Sequence, residues 1–234
     1  MNKNLVVVRA GDRSLHPQWI GDNRNWDLAV SYYGEYPDRY YKQYDYLHLC
    51  KGSKWQGLND FILTQNAIIA KYDYVWFPDD DLLCECQVIN QFFKICSILD
   101  LTLAQPALTE YSYFSWSITL RKSGLAARLT DFVEIMAPCF KVELFDKFKA
   151  TFSENSSGHG LEWLWKKIAI ENHIFKFGII DMTPIYHTRK VGSVGHGGSI
   201  GSTQEEMRRL LMKYNIKPTI PVEMQRIGIG RGRE

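Results

Sequence analysis

Three adjacent carboxylates, Asp79-Asp80-Asp81, follow the run Tyr72-Asp73-Tyr74-Val75-Trp76-Phe77-Pro78. Side by side they repel one another, so a folded chain keeps them near a cleft only where a cation offsets the charge. Asp79 and Asp81 have the Asp-x-Asp spacing that can hold Mn²⁺ or Mg²⁺ against a diphosphate. Asp81 is the expected direct ligand. Asp79 either shares the metal or reaches a ribose, and Asp80 lies between them at the same donor site. Acidic triplets also cap helices and solvate loops, and these residues alone leave that reading open.

Other groups could work beside the triplet. Arg9, in Arg9-Ala10-Gly11-Asp12, follows an apolar run where a base or ribose could dock; a surface turn explains Gly11-Asp12 equally well. Lys51 and Lys54, in Lys51-Gly52-Ser53-Lys54-Trp55, precede a helix and would make a phosphate seat, or simply be solvated. Glu134 stands inside Phe132-Val133-Glu134-Ile135-Met136-Ala137-Pro138, where strand alternation puts it on the solvent side. In Gly158-His159-Gly160-Leu161-Glu162, the flanking glycines allow a ligand to approach closely. Glu162 can accept the proton of a hydroxyl nucleophile or favour the helix dipole. His187 can complete a metal shell, with Arg189 beside it to meet a diphosphate, though a lone histidine is also often structural. The glycine-rich run 191–199 reads as a lid over the donor or as a passive linker.

These groups need a scaffold, and alternating strand and helix signals supply an α/β layer architecture. Strands are expected at 5–9, 27–33, 46–49, 74–77, 101–105 (stopped by Pro106), 132–137 and 176–181. Helices are expected from Leu58 through Ile69, and over 88–99, 142–152, 161–170 and 204–214. Residues 1–216 form a single domain, and 217–234 read as a partly ordered basic tail. No G-x-G-x-x-G follows the first strand and there is no Walker lysine motif, which speaks against a dinucleotide oxidoreductase or a P-loop kinase. Carboxylates at the end of a strand stand where α/β sheets place their ligands.

Composition narrows the class. At 234 residues with 45% hydrophobic and 23% charged residues, the chain is that of an ordinary globular protein. A net charge of +2 argues against a nucleic-acid partner. Five cysteines without framework spacing favour free thiols in a reducing compartment, and Cys84-Glu85-Cys86 has no second pair with which to bind structural zinc. The first apolar stretch is interrupted by Arg9, so it reads as a strand rather than a signal peptide, and no segment is long enough to span a bilayer. A cytoplasmic location is expected.

Ordered blocks also carry a resemblance. They are Tyr72-Asp73-Tyr74-Val75-Trp76 with Asp79-Asp80-Asp81-Leu82, Gln105-Pro106-Ala107-Leu108, Val133-Glu134-Ile135-Met136-Ala137-Pro138, Gly160-Leu161-Glu162, Ile180-Asp181 and Tyr186-His187. In these the chain resembles a family of glycosyltransferase-like domains of bacteria and plants, whose plant members are named lysine-ketoglutarate reductase trans-splicing related proteins. Two departures stand out. The family's Asp-Glu-Asp has Asp80 at its centre here, and its aromatic before Gly-Leu-Asp becomes His159, with Glu162 in place of the aspartate. The resemblance implies a GT-A-like (Rossmann-like) mixed sheet flanked by helices. With its Asp-x-Asp metal site, the expected function is metal-dependent transfer of a sugar from a nucleotide-diphosphate donor to a saccharide or other hydroxyl acceptor. On that reading Asp79, Asp81 and His187 hold Mn²⁺ or Mg²⁺, and Glu162 is the base. Arg9, Lys51, Lys54, Asp79, Asp80 and Arg189 contact the donor. Rival readings are a nucleotidyltransferase or phosphohydrolase on the same acidic site, or a non-catalytic carbohydrate- or nucleotide-binding module.

Overall fold

Strand β1 (Asn4–Ala10) is apolar almost throughout because both of its faces are covered. Its alternation sorts the core into two layers: Val6 and Val8 face one helix layer, Leu5 and Val7 the other. The structure is a computed structural model and describes residues 2–190 and 200–229. The run 191–199, read as a lid or linker, lies outside the described residues.

Around β1 the first half of the sheet is parallel. β2 (Trp26–Tyr32) and β4 (Tyr74–Trp76) flank β1, and β3 (Tyr46–Leu49) pairs outside β2. Helix α1 (Lys54–Ile69) connects β3 to β4 and lays Trp55, Leu58, Phe61 and Ile62 on one face of the sheet. It begins at Lys54, before the expected Leu58, because Ser53 and Gln56 close a reciprocal capping box. Helix α2 (Cys86–Ile98) covers the opposite face with Ile89, Phe92, Phe93 and Cys96.

Beyond β4 the sheet becomes mixed. A short β5 (Leu82–Leu83) leaves the triplet, and β6 (Leu103–Leu108), β7 (Leu125–Thr130) and β8 (Cys139–Lys141) follow. β9 (Phe177–His187) and β10 (Glu223–Gly228) complete it. The order is β10-β7-β9-β6-β8-β4-β1-β2-β3, with β5 paired to β9 off the main path. β8 runs antiparallel between β4 and β6, while β6 and β9 are parallel. Helix α4 (Leu161–Glu171) joins α1 on its face of the sheet, after the short α3 (Val142–Phe145). Helix α5 (Ile200–Lys213) precedes β10.

Several expectations are corrected. Pro106 does not stop β6; the ladder continues past it through a register shift, which tolerates a residue without an N–H. Residues 132–137 form a loop rather than a strand, because side chains satisfy their backbone: Gln105 Oε1 accepts from Glu134 N at 2.6 Å, and Lys54 Nζ donates to Ile135 O and Met136 O. The single helix expected at 142–152 divides into α3 and a 3₁₀ turn, Lys149–Ser153, which turn Phe145, Phe148 and Phe152 into the core. The segment after Lys217 differs from the tail expected for 217–234: Glu223–Gly228 is β10, paired antiparallel with β7. Late in the sheet, Arg128 and Asp181 form a fully buried ion pair, with Arg128 Nε 2.9 Å from Asp181 Oδ2.

Candidate active site

The triplet leaves β4 where the chain bends out of the sheet, and its three carboxylates point to different partners. Asp79 Oδ1 accepts from Lys54 Nζ at 2.6 Å. Asp80 Oδ2 accepts from the Gly11 N–H at 2.8 Å, and Asp80 Oδ1 faces Arg189 at 3.3 Å. Asp81 Oδ2 lies 3.4 Å from His187 Nε2, while its Oδ1 is buried with no protein partner. The β5–β9 ladder, Leu82↔His187 and Leu83↔Tyr186, sets the last of these contacts. Thr188 clamps it by donating from N and Oγ1 to Asp81 O at 3.2 and 2.8 Å.

The His187 tautomer follows from its neighbours. Tyr113 O can only accept, so His187 Nδ1 carries the hydrogen in their 2.7 Å bond. That leaves Nε2 to present either a lone pair or a second proton to Asp81. Burial alone would lower the His187 pKa; the hydrogen bond and charge of Asp81 outweigh it and hold it above the ordinary value. For Asp79, burial outweighs the Lys54 ammonium and raises the pKa. Burial likewise raises Asp80 to about 6, against the pull of the Gly11 N–H and Arg189.

Behind the triplet stand two further carboxyls. Glu162, in the first turn of α4, is buried and raised to about 7 by desolvation, although the N–H groups of Glu162 itself, Gly160 and Ile135 pull it back. Glu134 is not on the solvent side as alternation suggested: the 132–137 loop turns it inward, where it is 4% exposed. Its Oε2 has no partner, and desolvation together with the charge of Glu162 raises it to about 8. Two such carboxyls beside each other can divide one proton between an acid and a base.

A cavity of about 240 Å³ opens beside Asp80, lined by Gly11, Asp12, Arg13, Tyr33, Gly34, Glu35, Asp80 and Arg189. Its walls come from the loops after β1 and β2, the ligand-bearing end of the parallel strands. Lys51 stands at its rim, exposed, with Nζ 2.6 Å from Glu35 Oε1. Asp12 closes the Arg9–Asp12 run read as a base or ribose dock, whereas Tyr33 and Arg13 were not singled out in the sequence; only their position after two neighbouring parallel strands could have marked them.

The structure thus brings Asp79, Asp80, Asp81, Lys54, His187 and Arg189 together and leaves others elsewhere. Arg9 is not at the cavity, because its guanidinium is spent on Ser31 O, Gly52 O and Ser53 O and is 3% exposed. Lys54 is not a free phosphate seat; Asp79 and two carbonyls engage it. Asp79, Asp81 and His187 do not close on one point. Among the described residues, the one group of three metal-type donors within 4.8 Å of one another is His48, Cys50 and Asp60. The glycines around His159 serve packing: a Cβ on Gly158, at φ +79°, would stand 1.9 Å from Trp55 Nε1.

The fold is shared with known structures. Staphylococcus aureus TarS 1–349 in complex with UDP-GlcNAc superposes with a TM-score of 0.56 at 9% identity, covering 91% of this chain and 66% of that one. The complex of the same fragment with UDP gives 0.52 at 8% identity, covering 91% and 65%. A longer S. aureus TarS structure gives 0.54 at 10% identity, covering 90% and 39%. The chain therefore spans just under two thirds of the shorter TarS fragment, and at such identities the likeness establishes the GT-A-like fold alone. No curated protein matches the sequence. The family profile described as "Protein of unknown function (DUF707)" matches residues 39–228. No described helix is long and apolar enough to cross a membrane.

Proposed function

The chain belongs to the DUF707 family, and we propose that it is a glycosyltransferase that moves a sugar from a nucleoside-diphosphate donor to an acceptor hydroxyl. The observation that carries this reading is the junction of the cavity with the acidic cluster: Asp80 lines the cavity, while its neighbour Asp81 faces His187 through Oδ2 and keeps its buried Oδ1 without a protein partner. The TarS structures that share the fold contain UDP-GlcNAc and UDP, which supports a nucleotide-sugar donor.

The donors present fit a hard divalent cation. Asp81 offers a buried carboxylate oxygen lacking any other partner, and His187 offers an imidazole nitrogen fixed by Tyr113. Mn²⁺ or Mg²⁺ held by Asp81 and His187 would supply Lewis-acid stabilisation of the charge on the departing diphosphate. Asp79 is already paired with Lys54 at 2.6 Å.

The remaining work falls to the chain's own residues. The loops after β1 and β2 hold the nucleoside, and Arg189, which lines the same cavity beside Asp80, meets the diphosphate. Glu162, ionised, takes the proton of the acceptor hydroxyl as its oxygen bonds to the anomeric carbon and the sugar–diphosphate bond breaks. Glu134, protonated in the same pH range, keeps a second negative charge away from Glu162.

The test is direct. The protein is incubated with UDP- and GDP-sugars and Mn²⁺ and assayed for transferred sugar, free sugar and split pyrophosphate. Transfer to an added saccharide is the expected result. Pyrophosphate cleavage without sugar release would assign the site to nucleotidyl chemistry, and binding without turnover under any metal would make the protein a non-catalytic module.

A further inference from the structure

His48, Cys50 and Asp60 each turn one donor atom to a common point, and none of them lines the cavity or belongs to the acidic cluster. We infer that they form a second metal site, of the zinc type, at the join between β3 and α1. His48 lies in β3 and Cys50 directly follows its end, where the Cys50 N–H still donates to Tyr32 O at 3.0 Å, so the alternation of the extended chain puts both on one face. Asp60 comes up to them from the second turn of α1, its Oδ2 2.8 Å from His48 Nε2.

A soft thiolate, an imidazole and one carboxylate form the ligand set that a borderline ion prefers to Mg²⁺. Around one zinc the donors lie at about 2.0–2.3 Å from the ion, hence roughly 3–4 Å from each other. Here the three atoms already fall within 4.8 Å of one another. Rotation of the Cys50 and Asp60 side chains closes the remainder, and a water takes the fourth position.

The surroundings prepare the histidine. Its Nδ1 lies 2.9 Å from Ser31 Oγ, which also accepts from Arg9 Nη1 at 3.1 Å. A hydroxyl oxygen has two acceptor sites, so it can take both an Arg9 hydrogen and one from Nδ1–H. The ring then gives its Nε2 lone pair to the metal, the orientation that second-shell hydrogen bonds commonly enforce. Ion binding sends the Cys50 thiol proton to solvent and replaces the hydrogen that His48 Nε2 shares with Asp60 Oδ2 at 2.8 Å, so that the ring's remaining hydrogen stands on Nδ1 facing Ser31 Oγ. An ion held there would clamp the ends of the 51–53 loop, which carries Lys51 to the cavity rim and leads into Lys54.

Cobalt titration of the metal-free full chain tests this without reference to any transferase activity. One equivalent of Co²⁺ is expected to give a sulfur-to-cobalt charge-transfer absorption that one equivalent of Zn²⁺ abolishes. The band should vanish in Cys50→Ser and persist in Asp81→Asn and Cys86→Ser. Asp60→Asn, which keeps the side-chain shape, should weaken binding by about tenfold or more. It serves as the reading if Cys50→Ser does not fold. Absence of the band in the wild type, its survival in Cys50→Ser, or unchanged affinity in Asp60→Asn each overturns the proposal.

Discussion

Lys54 Nζ stands 2.6 Å from Asp79 Oδ1, so the chain itself neutralises the first carboxylate of its acidic triplet. The same ammonium donates to Ile135 O and Met136 O, tying the loop that carries Glu134 to the triplet. One lysine therefore holds the site's two acidic segments in register. With Asp79 so engaged, Asp81, whose Oδ1 has no protein partner, is the cation ligand of the proposed mechanism.

Asp81→Asn is accordingly expected to remove the metal-dependent part of the affinity for UDP, while Asp79→Asn keeps most of it. Calorimetry with UDP in Mn²⁺ and then in EDTA measures both. Equal losses in the two variants would return Asp79 to the metal shell.

Replacing Glu162 by Gln should leave donor binding intact and lower transfer by about two to four orders of magnitude, the usual worth of a general base. Single-turnover rates beside UDP affinity separate the two effects. Near-normal transfer in this variant would take Glu162 out of the mechanism.

Folding stability should also report the buried carboxyls. Glu134 and Glu162 are raised to about 8 and about 7 from an ordinary 4.5, so the folded chain retains protons that the unfolded chain has released. Their contribution is whole below pH 4.5 and is lost as pH climbs through those raised values. In EDTA, Glu134→Gln should melt close to the wild type at about pH 5 and increasingly above it toward about pH 9. A constant difference across that range would contradict the buried, proton-retaining Glu134.

The Arg128–Asp181 pair is fully buried and bidentate, with Asp181 Oδ1 also accepting from Lys122 N at 2.7 Å. Asp181→Ala leaves the buried guanidinium with the carbonyls of Ile118 and Leu120 and with Glu223 at 3.7 Å, and should cost about 3–5 kcal/mol in urea unfolding. A loss below about 1 kcal/mol would mean that Glu223 or water takes over the place of Asp181 at Arg128.

How much of this was legible follows from what each element depends on. β1, β2, β4, α2 and α4 were readable because their apolar periodicity is local. The junction of β4 with three aspartates marked a candidate site because those residues are adjacent in the chain. What was missed depends on distant partners. Glu134 looked like an outward strand residue, and only Gln105 and Lys54, far away in sequence, turn its segment into an inward loop. Arg9 looked like a ligand arm until the carbonyls of residues 31, 52 and 53 took its donors. β7 escaped notice because its central Arg128 is polar, and its burial makes sense only with Asp181.

The ladder between β5 and β9 has a kinetic side. Asp81 and Thr188 meet across 107 residues of sequence, so the aspartate and the histidine come together only after a long loop closes. Closures of that span are slow, and proteins rich in them fold in milliseconds to seconds rather than microseconds. During synthesis the triplet emerges well before its histidine. A half-made chain therefore carries the three carboxylates before the histidine that faces Asp81, and β10 has still to emerge and pair with β7.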